Sequence, residues 1–137
     1  MDTDQVFGRD DRHAALALRL APLPSATREA RRATAEWLAR RGVREATRGD
    51  TLLVVSELVT NGVLHGGTED IVVNADDVCG RLTIQVVTSR RPEGLPAFPR
   101  NGDGVGRGLR IVAALCECVN THTDPLGRRT VTCEMNV

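Results

Sequence analysis

The chain has 137 residues, 41% of them apolar, and its 18 basic and 18 acidic side chains cancel. This length fits one domain with one core, and the balanced charge creates no basic field to attract nucleic acid or an anionic membrane. No apolar run approaches the roughly 20 residues of a membrane span, and Met1-Asp2-Thr3-Asp4 lacks the basic and apolar segments of a secretion signal, so a cytoplasmic protein is expected.

Residues 1–13 are polar and without periodicity, which predicts a flexible tail before a domain spanning 14–137. Leu16, Leu18 and Leu20 alternate with Ala17 and Arg19 in the period-2 pattern of a strand ended by Pro22 and Pro24. Ser25 stands where an N-cap would, and Ala26, Ala30, Ala33, Trp37 and Leu38 then recur at helical spacing until Gly42. A second helix capped by Asp50 runs through Leu52, Leu53, Val55, Val59 and Val63 to Gly66-Gly67. Ile71-Val72-Val73 and Leu82 to Val87 form a hairpin around Asp76-Asp77-Val78-Cys79-Gly80.

From about residue 89 to 108 the chain turns to Pro, Gly, Arg and Asn without periodicity, too long for an idle connection, so it is predicted to be a lid or binding loop. Leu109, Ile111, Val112 and Leu115 mark a third helix, and Arg129 to Met135 a closing strand. The order β-α-α-β-β-α-β predicts an α+β sandwich with helices on one face of a mixed sheet. Cys79, Cys116, Cys118 and Cys133 match no paired C-x-x-C zinc pattern and read as small buried hydrophobes.

Two constellations carry chemistry. Glu57 and Asn61, four apart, share a face of a largely apolar helix. An amide oxygen suits a hard cation such as Mg²⁺ and a carboxylate can deprotonate a nucleophile beside it, although so short a pair can also simply face water. Gly104-Val-Gly106-Arg-Gly108-Leu109 closes the long loop and opens the third helix. There glycines let amides approach phosphate oxygens and the helix N-terminus favours anions, although glycines before helices are also ordinary turns. The cluster does not follow the first strand of a βαβ unit, which argues against a dinucleotide fold.

In this order, Glu57-x-x-x-Asn61 with Gly62 and His65, a hairpin, a glycine-rich lid into Gly106-Arg-Gly108, and a last strand with Gly127-Arg-Arg-Thr130 resembles the GHKL ATPases of Bergerat fold. Within them the chain is similar to the short anti-sigma serine kinases and their actinobacterial relatives, over roughly residues 14–137. The resemblance implies a serine/threonine-protein kinase that binds ATP and Mg²⁺, phosphorylates an antagonist protein, holds a sigma factor and forms a homodimer. It assigns Glu57 as general base and Asn61 as Mg²⁺ ligand. It further places Gly104, Gly106, Arg107, Gly108 and Leu109 at the nucleotide, with Thr88 and Thr130 toward the adenine.

Thr88 departs from the family pattern, in which an aspartate receives the adenine amino group. Replacing a charge-assisted bond by a neutral one costs about 1.5–3 kcal/mol. Two functions therefore stand side by side: an ATP-dependent serine kinase, or a binding regulator of the same fold with weak or lost ATP binding.

Overall fold

A computed structural model describes residues 15–89 and 103–137, with residues 103–107 as backbone only. The tail at 1–13 and most of the predicted lid lie outside the described residues. Among the described residues five strands and three helices follow in the order β1 (Leu16–Leu20), α1 (Ala26–Arg40), α2 (Glu45–His65), β2 (Ile71–Val78), β3 (Arg81–Thr88), α3 (Asp103–Leu115), β4 (Cys118–Thr123) and β5 (Arg129–Asn136).

The strands form one sheet in the order β1-β2-β3-β5-β4. Every neighbouring pair is antiparallel, which corrects the mixed sheet expected from the sequence. The physical reason lies in the α3 connection. It returns the chain through β4 at the sheet edge, so that β5 folds back between β3 and β4 against both. The α+β two-layer architecture itself is as expected. Alternate residues of the inner strands (Ile71, Val73, Leu82, Ile84, Val86, Val131, Cys133) are buried on the face that meets the helices. The opposite face carries Asn74, Gln85 and Thr132, which the register places side by side.

Helix α1 buries Ala26, Ala30, Thr34, Trp37 and Leu38 on one stripe. Burying a side chain such as Leu38 contributes about 1.5–3 kcal/mol. Ser25 occupies the N-cap but makes no side-chain capping bond. At the other end Gly42 adopts φ +72 and donates its amide to Ala39 O at 3.1 Å, a left-handed cap open to glycine at little cost. Arg41 then lies 4.9 Å over Trp37 and donates to the Asp77 carbonyl at 3.2 Å, tying this end to β2.

Helix α2 begins at Glu45, a turn before the predicted Asp50 cap. Thr47 and Thr51 are buried there, and the Thr51 hydroxyl donates to the Thr47 carbonyl at 2.7 Å, so polar residue types hide an inward-facing turn. The helix packs on α1, α3 and the sheet together, which makes it the centre of the helical layer. The β2–β3 hairpin closes through Cys79-Gly80, with φ +52 and +78, the two-residue turn that matches strand twist. Cys79 is exposed there, contrary to the expectation of a buried thiol; Cys133 is buried, and all four cysteines are free.

Candidate functional site

The sheet and helical layers part at one end around a cavity of about 400 Å³. That volume falls within the roughly 300–1,000 Å³ of small-molecule sites. From α2 it takes Leu58, Asn61, Gly62, His65 and Gly66; from the end of β3, Val86, Thr88 and Ser89; from α3, Leu109; and from the β4–β5 hairpin, Thr123, Gly127, Arg129 and Val131. Leu58, Val86, Leu109 and Val131 give apolar walls, and the polar groups gather at its two ends.

One end is where α2 meets the start of α3. Gly108 is buried, and a Cβ added there would stand 2.7 Å from Glu57 Oε1, 3.6 Å from Asn61 Nδ2 and 3.7 Å from Asn61 Oδ1. The missing side chain is what allows Glu57 and Asn61 to reach the α3 backbone. Among the described residues no cation pairs with Glu57, and the Asn61 amide makes no hydrogen bond, so both are available to a ligand. A half-buried carboxylate, an unengaged amide oxygen and the first turns of a helix form a donor set that fits a hydrated divalent cation carrying phosphates.

The other end is the rim of the sheet. Thr88, Arg129 and Thr123 are consecutive register partners across β3, β5 and β4, and all three line the cavity. The Thr88 methyl is packed against α2: a Cβ on Gly62 would lie 2.6 Å from Thr88 Cγ2 and 3.2 Å from Ile71 Cδ1. Ser89 pins the turn after α2, accepting from the Gly67 amide at 2.9 Å through its carbonyl and from the Glu69 amide at 3.3 Å through its hydroxyl. The β4–β5 turn is held by Asp124, whose carboxylate accepts from the Leu126 and Arg128 amides at 2.9 and 2.8 Å. The Arg128 amide is the first cause holding this carboxyl below its ordinary range. Gly127, at φ +88, completes the turn.

Of the residues singled out in the sequence, Asn61, Thr88 and Leu109 line one cavity, and Glu57 and Gly108 meet beside Asn61. Gly104, Gly106 and Arg107 lie in the first turns of α3, which starts at Asp103 and so takes in glycines expected to precede it; the Arg107 side chain lies outside the described residues. Thr130 is not brought to the cavity. On β5 the odd-numbered residues Val131, Cys133 and Met135 face the helices, so Thr130 points to the other side of the sheet beside Val87 and His122. The cavity takes its neighbours Arg129 and Val131 instead. His65, part of the α2 motif but given no role from the sequence, also lines it. The alternation of β5 was legible and would have exchanged Thr130 for Arg129.

An α+β sandwich with an apolar slot between its layers, a carboxylate and amide at one end and helix-start glycines beside them is a nucleotide-binding architecture. The chain belongs to the histidine kinase-like ATPase domain family, which matches residues 20–133. A search of curated proteins returned no match. Among solved structures it is similar to the RsbU and RsbW domains of Rv1364c from Mycobacterium tuberculosis, with a TM-score of 0.72 and 24% identity, covering 90% of this chain. This chain spans 32% of the length of that one. It is also similar to a chain of the SiaB-SiaC complex from Pseudomonas aeruginosa, with a TM-score of 0.61 and 13% identity over 100% of this chain and 99% of that one. At these identities the likeness is one of fold. Among the described residues no helix is long and apolar enough to cross a membrane.

Proposed function

We propose that the chain is a partner-switching regulator that binds a magnesium nucleoside triphosphate, ATP being the nucleotide of its family, and passes the γ-phosphate to a serine of an antagonist protein. The observation that carries this is the meeting of Glu57 and Asn61 with Gly108 at one end of an apolar slot. Asn61 would hold Mg²⁺, which when bound supplies neutralisation of phosphate charge. Glu57, half-buried and without a cation among the described residues, accepts the serine proton as the hydroxyl attacks phosphorus. The amides of the first α3 turns, free of side-chain obstruction at Gly108, stabilise the charge that develops on the transferred group. An antagonist partner is supported by the similarity to a chain crystallised as a SiaB-SiaC complex, and a sigma factor as second partner by the resemblance in the sequence motifs.

Calorimetric titration of magnesium ATP and magnesium GTP into the wild type and Asn61→Ala tests the binding half. Saturable heat in wild type that weakens in Asn61→Ala is the expected result. The absence of saturable heat with both nucleotides would leave a regulator acting by protein contact alone, a reading favoured by Thr88 in place of an acid. Transfer of labelled phosphate to an antagonist, with Glu57→Ala as comparison, tests the rest; transfer that survives this change removes Glu57 from the role of base.

A further inference from the structure

The rim opposite Asn61 carries a charge that the proposed phosphate chemistry does not use. Arg129 lies between Thr88 and Thr123 in the strand register, is exposed at the cavity and meets no acid among the described residues. Among the described residues that line the cavity no carboxylate stands beside that row; the acid of the site, Glu57, is at the other end against Gly108. The phosphates and cation belong at that far end, beside Asn61 and the start of α3. A planar base therefore occupies the slot between Leu58, Val86 and Val131, with its outer edge at the row of Thr88, Arg129 and Thr123.

The chemistry of that row runs opposite to what adenine asks. A guanidinium only donates, in a fork of fixed geometry, whereas the six-position of adenine is itself an amino donor. The Thr88 methyl is packed against Gly62, which leaves one neutral hydroxyl beside the fork. A 6-oxopurine presents two adjacent acceptors, O6 and N7, which a guanidinium meets with two parallel bonds. We propose that the cavity selects a 6-oxopurine nucleoside triphosphate over ATP, and that Arg129 is the residue that reads the base. This rests on the nucleotide-binding reading above and names the nucleotide class.

The test is titration of GTP, ITP and ATP, each with Mg²⁺, into the full chain. GTP and ITP are expected to bind at least about tenfold more tightly than ATP, the scale of one two-bond contact to a base. Arg129→Ala should erase this preference by lowering GTP and ITP affinity at least about tenfold more than ATP affinity, and Thr88→Asp combined with Arg129→Thr should turn it toward ATP. Equal or tighter binding of ATP by the wild type overturns the proposal even if no variant folds. An equal loss of all three nucleotides in Arg129→Ala makes Arg129 a phosphate contact and overturns it too. Binding of GTP without ITP moves selectivity to the 2-amino group and overturns the role given to Arg129. If no triphosphate binds, the nucleotide reading itself has failed, an outcome distinct from a wrong base preference.

Discussion

Replacing Gly62 by alanine sets two effects of known sign against each other. Alanine is favoured over glycine inside a helix by about 1 kcal/mol. Its methyl, however, would stand 2.6 Å from Thr88 Cγ2, where carbon atoms rest at about 3.5–4.0 Å, so either Thr88 or the end of β3 must move by about 1 Å. Overpacking of this kind costs about 1–3 kcal/mol, and the Thr88 side chain is short and β-branched with little freedom to yield. Gly62→Ala should therefore destabilise the protein by about 1 kcal/mol net. Thr88→Ser removes the offending methyl and leaves only the flexible tip of Ile71 at 3.2 Å. In that background the same alanine should be neutral or stabilising, a coupling of about 1–2 kcal/mol between the two positions. Urea unfolding of the four proteins, extrapolated linearly to water, measures it. Equal effects of Gly62→Ala in both backgrounds would refute the packing argument.

Gly108→Ala should leave stability level or slightly raised but displace the Glu57 carboxylate, now 2.7 Å from the new methyl, and thermal melts beside phosphate-transfer assays would show stability kept and transfer lowered. Thr130→Val, on the sheet face away from the cavity, should leave nucleotide affinity unchanged in titration; a loss would place Thr130 in the site after all. The Thr34 hydroxyl is fully buried and has no hydrogen-bond partner among the described residues, so Thr34→Val should stabilise by about 1 kcal/mol, read as a rise of about 2–5 °C in melting temperature. Burial first, and then the neighbouring Cys116 and Cys118, push the Cys133 thiol from 9.0 up to about 12. The folded state thus keeps a proton that the unfolded state releases, so stability is level below about pH 9 and falls toward pH 12, by at most about 1.4 kcal/mol per pH unit. The chain contains no lysine or tyrosine to titrate in this window, and burial also raises the Cys116 thiol, so Cys133→Val should reduce the slope in unfolding measured across it and Cys133→Val with Cys116→Val should reduce it further.

The elements that periodicity reveals were legible: the alternating β1, the stripe on α1 with its glycine stop, and the β-branched hairpin. Helix α2 was legible from its middle onward, but its first turn is built from buried threonines and contains Gly49, which mimic a loop. Strand β4 was missed because Cys-Val-Asn-Thr-His-Thr lies at the sheet edge and is mostly exposed, so it carries no apolar alternation. At the site, Glu57, Asn61 and Gly108 could be read because their spacing and residue types are tied to chemistry. Arg129 could not be found that way, since an arginine near the end of a chain rich in arginine looks like surface. Only the alternation of β5 against a known inward face turns it into the cavity.

The two ends of the cavity rest on different foundations. Thr88, Arg129 and Thr123 belong to one uninterrupted hydrogen-bonded ladder, so their mutual spacing is set by the sheet itself. The spacing of Glu57 and Asn61 from Gly108 is set instead by side-chain packing of α3 on α2, a helix–helix seam with no backbone ladder across it. A protein that grips α3 can therefore retune the end where phosphate would be held while the opposite rim keeps its shape. Under the function proposed above, recognition of a nucleotide and its use would then be separately adjustable.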